Sequence, residues 1–136
     1  MKAFIPTLFL LTLSTAFAID KTQTLTKSQF EEFSVQSNGV TLNNFGIAQK
    51  KAWLSDEMTN IEVSFSARNK TNSPRHFVVM LVGTDVSGKI LWSLALEPLM
   101  STLAESTTTT VEKSIYCVPG TLDITNKIWV RVVGDF

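Results

Sequence analysis

The chain has 136 residues, with 12 Lys and Arg against 12 Asp and Glu, 44% apolar residues, one His and one Cys. This balance leaves no basic surplus to neutralise phosphates, a single thiol cannot build a disulfide framework, and the apolar content is too high for a disordered tail. A chain of this length buries about two thirds of its unfolded surface, enough for one domain without cross-links.

The first residues read as an address. Met1-Lys2 gives a short positive start, Ala3 to Leu13 is almost wholly apolar, and Ala16-Phe17-Ala18 carries the small-x-small pattern of a cleavage site. In this order these are the parts of a secretory signal peptide, residues 1–18, cut after Ala18. An uncleaved anchor competes, but the apolar run falls short of the roughly 20 residues of a bilayer span. No Cys follows the cut, so a bacterial lipid anchor has no attachment atom. Loss of Lys2 leaves 11 basic and 12 acidic side chains, a net charge of −1. A secreted or periplasmic protein is expected, with no nucleic-acid partner and no stable membrane insertion after cleavage.

Residues 19–29 are polar and Thr-rich without a period and read as a flexible arm; residues 30–136 read as the single domain. Phe33 and Val35, the turn Ser37-Asn38-Gly39, then Val40, Leu42 and Phe45 suggest an opening hairpin. Ile47 to Leu54 continues as a strand until Ser55-Asp56-Glu57. Ile61 to Arg68 alternates apolar and polar residues without a break, as a strand with one wet face requires. Asn69 to Pro74 is a turn, and His76 to Val82 is a second strand, apolar on both parities. Asp85 to Lys89 reads as a tight hairpin connection with Gly88 at the positive-φ position, and Ile90 to Leu96 returns with Ile90, Trp92, Leu94 and Leu96 on one face. Pro98 stops that strand, Leu99 to Glu105 has room for one helical turn, Thr107 to Val118 is β-branched and long, Pro119-Gly120 turns, and Ile128 to Val133 closes the series.

Six to eight short strands joined by turns imply an all-β fold, an antiparallel immunoglobulin-like β-sandwich of about seven strands without a disulfide. Trp92 or Trp129 is expected to fill the place of an intersheet bridge. Ile61 to Asn69, Phe77 to Asp85, Ser87-Gly88-Lys89-Ile90-Leu91 and the later Thr-rich strand resemble small exported bacterial domains of the FxLYD type. Leu81-Val82-Gly83-Thr84-Asp85 departs from the namesake motif by lacking an aromatic before Asp85. The resemblance implies an extracytoplasmic accessory or binding role and carries over no catalytic residue.

Chemistry-bearing residues are sparse. His76, Cys117, Met58, Met80 and Met100 lack metal-ligand spacing, and no cofactor is expected. A Cys nucleophile needs an imidazole, for which only His76 is on offer; a small enzyme or redox factor using Cys117 and His76 is the alternative to a non-catalytic domain. Burial of Cys117 as a small hydrophobe is the plainer expectation. Glu31-Glu32 and Asp56-Glu57 are adjacent acids rather than a convergent pair, and Asn69-Lys70-Thr71 is an N-glycosylation sequon. The feature that asks for an explanation is Phe77 to Val82, where the outer side of a sandwich strand normally meets water. Either Pro98 to Glu105 or the N-terminal segment with Trp53 covers it, or a protein or envelope partner does. In the latter case Phe77, Val79, Leu81 and Trp53 are the candidate partner surface.

Overall fold

A computed structural model describes residues 18–53 and 57–136; the leader expected over residues 1–18 lies, but for Ala18, outside them, as do Leu54, Ser55 and Asp56. In chain order the elements are β1 (Ile19–Leu25), α1 (Lys27–Glu32), β2 (Val35–Ser37), β3 (Val40–Lys51), β4 (Thr59–Asn69), β5 (Phe77–Thr84), β6 (Ile90–Leu96), β7 (Thr107–Cys117), α2 (Thr121–Ile124) and β8 (Lys127–Gly134). They form two antiparallel sheets, β1-β8-β5-β6 and β2-β3-β4-β7. This is an all-β, immunoglobulin-like sandwich, with eight strands among the described residues where about seven were expected. The first described strand, β1, stands beside β8, in the place an immunoglobulin domain gives to its last strand.

The alternation of β4 does what it promises: Ile61, Val63, Phe65 and Ala67 are buried while the residues between them face outward. Rings bridge the sheets in series, Phe33 and Phe30 on Phe45, Phe45 stacked on Phe65, Phe65 against Phe77, and Phe77 edge-on to Phe136, with centroids 4.8 to 6.1 Å apart. Each buried ring contributes about 1.5–3 kcal/mol of transfer free energy, and this series is the spine of the core. Trp92, not Trp129, fills the far end of the interior. Its indole Nε1 donates to Thr125 Oγ1 at 3.1 Å, and its ring lies where a Cβ on Gly83 would stand.

The hairpin at Asp85 forms as expected. Gly88 has φ +85°, its N–H donates to Asp85 O, and Asp85 Oδ1 accepts from Ser87 N, Ser87 Oγ and Lys89 N. The Ser87 hydroxyl and these backbone donors hold the Asp85 carboxyl below the usual carboxylate range. The β5–β6 register shifts between Gly83 and Thr84, so Ile90 leaves the inward set and is exposed, unlike Trp92, Leu94 and Leu96.

Residues 19–29 are not a loose arm. Ile19 to Leu25 pair residue by residue with Gly134 to Ile128, and Lys27–Glu32 form a helix turn with a capping box, in which Gln29 N donates to Thr26 Oγ1 and Thr26 N to Gln29 Oε1. Two lysines close the open sides of the sandwich. Lys21 Nζ on β1 reaches Ser34 O at 3.3 Å, and Lys113 Nζ on β7 reaches Ala95 O of β6 at 2.9 Å. A charge turned inward at a sheet edge discourages the addition of a further strand.

Candidate functional site

The two outer faces of the sandwich differ in kind. On the β2-β3-β4-β7 sheet the outward positions in register are Thr41 and Asn43 of β3, Ser64, Ser66 and Arg68 of β4, and Thr108, Thr110 and Glu112 of β7, a polar array that water satisfies. On the β1-β8-β5-β6 sheet the outward positions of β5 are Val78, Met80 and Val82. Val78 lies opposite Val133, Met80 between Arg131 and Ala95, and Val82 between Trp129 and Ser93. A shallow groove of about 320 Å³ is lined by Met80, Val82, Ser93, Ala95 and Trp129. Its rim is polar: Arg131 makes a bidentate pair with Asp20 of β1, Nε to Oδ1 at 2.9 Å and Nη2 to Oδ2 at 2.8 Å, which holds the Asp20 carboxyl below its ordinary range.

The candidate surface therefore moves by one residue. Phe77, Val79 and Leu81 are at most 3% exposed and form the core side of β5, so they cannot present themselves to a partner. Because both parities of this strand are apolar, the pattern could not say which faced inward. Trp53 is 93% exposed, but it follows β3 in the other sheet and does not join this face. Among the described residues neither expected cover lies over this face. Leu103 enters the core and bridges Arg75, while Leu99 and Met100 are 90% and 89% exposed to solvent.

The Cys117–His76 alternative does not assemble. Cys117 is buried opposite Thr59, the first residue of β4, with Gln49 Nε2 3.5 Å from its Sγ. His76 follows Arg75, whose N–H donates to Leu103 O, the carbonyl that also accepts from Asn69 Nδ2 at the last residue of β4. The eleven residues of β4 separate the two groups by about 33 Å at 3.3 Å per residue. The true partner of His76 is Asp135, with Nδ1 2.8 Å from Oδ2, the His76 N–H on Oδ1 and the Asp135 N–H on His76 O. Partial burial pushes the Asp135 carboxyl up. The backbone and ring of His76, with the charge of Arg75, outweigh it and hold the group below its ordinary value. This clasp fastens the chain end to the start of β5.

Other sequence candidates resolve into structure. Glu31 and Glu32 are exposed on α1 and do not converge. Asn69 of the sequon is 1% exposed and committed: Nδ2 donates to Ser73 O and Leu103 O, and Oδ1 accepts from Thr71 N and Thr71 Oγ1. Among the described residues no three His, Cys, Asp or Glu side chains come together as a metal site, and no helix is long and apolar enough to cross a membrane.

No protein-family model matches the chain, and no curated protein does. Among solved structures, a chain in the structure of infectious bursal disease virus Gx strain superposes with a TM-score of 0.43 at 13% identity. That alignment covers 86% of this chain and 28% of the viral one, so this chain spans little more than a quarter of its length.

Proposed function

We propose that this protein is an exported, non-catalytic binding or accessory module that docks a protein or envelope partner on the outer face of its β1-β8-β5-β6 sheet. The observation that carries the reading is the contrast between the two outer faces: β3, β4 and β7 turn out Thr, Asn and Ser with Arg68 and Glu112, whereas β5 and β8 turn out Val78, Met80, Val82, Trp129 and Val133, with Arg131 among them, around a groove. An apolar groove walled by an aromatic, with an ion-paired arginine beside it, has the make-up of an interaction surface. The tripartite pattern read over residues 1–18 supports a secreted or periplasmic location for such a module, and the resemblance to FxLYD-type domains is in keeping with an accessory role.

Photocrosslinking tests it. A benzophenone amino acid placed at Val82 in the full chain, expressed in its native envelope, is expected to give an adduct of defined mass that Trp129→Ala abolishes. The same probe at Ser66, on the polar face, is expected to give none. Equal labelling from both faces, or no adduct at Val82 from folded protein, refutes the reading.

A further inference from the structure

We propose that β1 is an exchangeable strand, and that the slot beside β8 accepts the β1 of a second copy of this chain. The inference is independent of the binding face, since it concerns the edge of the sheet.

The strand is held by its backbone ladder to β8, by the Asp20–Arg131 pair and the Lys21–Ser34 O bond, and by one apolar residue at each end. It lies in seven-residue register with β8, yet Asp20 to Thr24 are all exposed and Leu25 alone is fully buried. Its inward positions are Ile19, Lys21, Gln23 and Leu25; Ile19 and Leu25 pack on the core at the two ends, while Lys21 and Gln23 between them border an open pocket of about 310 Å³ lined also by Gln29, Glu32, Phe33 and Ser34. Water already reaches the middle of the inner side of β1, so the apolar anchoring of the strand is confined to Ile19 and Leu25; edge elements with few buried apolar contacts open at a fraction of the cost of global unfolding.

The rest of the domain does not depend on it. Phe30 of α1 is fully buried against Phe45, and Lys27 Nζ donates to Leu122 O at 3.0 Å, so the helix stays seated when the strand leaves. The vacated edge of β8 remains a formed template, because Ile128, Val130 and Val132 are buried in the core. A single extended residue, Thr26 at φ −75° and ψ 169°, joins β1 to α1. Thr26 is thus the one hinge at which β1 would swing out for exchange between copies.

A second copy is the fitting occupant because it restores every contact that opening breaks. Leu25 regains its place opposite Ile128, Asp20 its bidentate pair with Arg131, and Lys21 its bond to Ser34 O. The exchange is then decided by concentration rather than by new contacts.

The test uses two singly marked chains, both carrying Cys117→Ser: one with Thr22→Cys, the other with Arg131→Cys, positions directly opposite each other in the β1–β8 register. The two are refolded together across a range of concentrations, oxidised and mapped. Exchange gives a disulfide between residue 22 of one chain and residue 131 of the other, rising with concentration and reaching about half of all dimers in an equimolar mixture. With both substitutions in one chain, the disulfide closes internally at high dilution. Chains that remain monomeric at every concentration, or dimers that lack the 22–131 bond, overturn the proposal.

Discussion

Gly83→Ala is the substitution whose cost the structure sets most plainly. A Cβ at residue 83 would stand 2.1 Å from Trp92 Nε1 and 2.2 Å from Cε2, so the indole must move. Trp92 is 4% exposed and its N–H is satisfied by Thr125 Oγ1, which itself donates to Thr121 O. Displacing the ring adds overpacking of about 1–3 kcal/mol and orphans a buried hydrogen-bond group at about 1–3 kcal/mol, so a loss near 4 kcal/mol is expected. Urea unfolding followed by far-UV circular dichroism measures it. Trp92→Leu is costly alone, but it removes the obstacle, so the double variant Gly83→Ala/Trp92→Leu should be more stable than the sum of the single losses by at least about 1 kcal/mol. A Gly83→Ala protein within about 0.5 kcal/mol of the parent, a loss typical of a surface change, would refute the packing of Trp92 across β5.

Neighbouring residues of β5 should respond oppositely to charge. Leu81→Lys buries an unpaired ammonium and should abolish the cooperative unfolding transition, whereas Val82→Lys, on the outer face, should shift the urea midpoint little; the reverse order would mean that β5 is turned over. Asn69 should emerge unmodified by mass spectrometry from a glycosylating host, and Asn69→Ala should cost about 1–3 kcal/mol because Thr71 N loses its acceptor, while Ser73 O and Leu103 O keep Thr71 Oγ1 and Arg75 N as donors. The Asp135 carboxyl lies below its ordinary value of 3.8 in the folded chain, so its contribution is complete above that value and lost as pH falls through the folded value. Asp135→Asn should therefore flatten the acid limb of a stability-against-pH curve and leave its neutral-to-basic side parallel to the parent's.

Where one face of a strand is wet, the residues announced it: β4 alternates because the outer face of its sheet meets water, and the Asp85–Lys89 hairpin is written in Asp85 and Gly88. The strand β1 was hidden for the opposite reason. At the edge of the sandwich, where its open side admits solvent, Lys21 and Gln23 occupy inward positions and no apolar period survives. Its neighbour α1 is too short for a period, although Thr26-Lys27-Ser28-Gln29 has capping-box spacing and could have marked its start. The apolar run Phe77 to Val82 flagged an uncovered sheet face. It could not name the residues on it, because a strand greasy on both sides has no parity to read.

The most direct check of the binding face is hydroxyl-radical footprinting of the full chain, alone and within its native envelope fraction. In isolation Met80 and Trp129 should oxidise several-fold faster than buried Phe65 and Phe77. In the envelope fraction Met80 and Trp129 should become protected while Trp53 and Tyr116, exposed at the other sheet, keep their rates. Unchanged rates at Met80 and Trp129, or protection spread evenly over both sheets, would contradict the assignment.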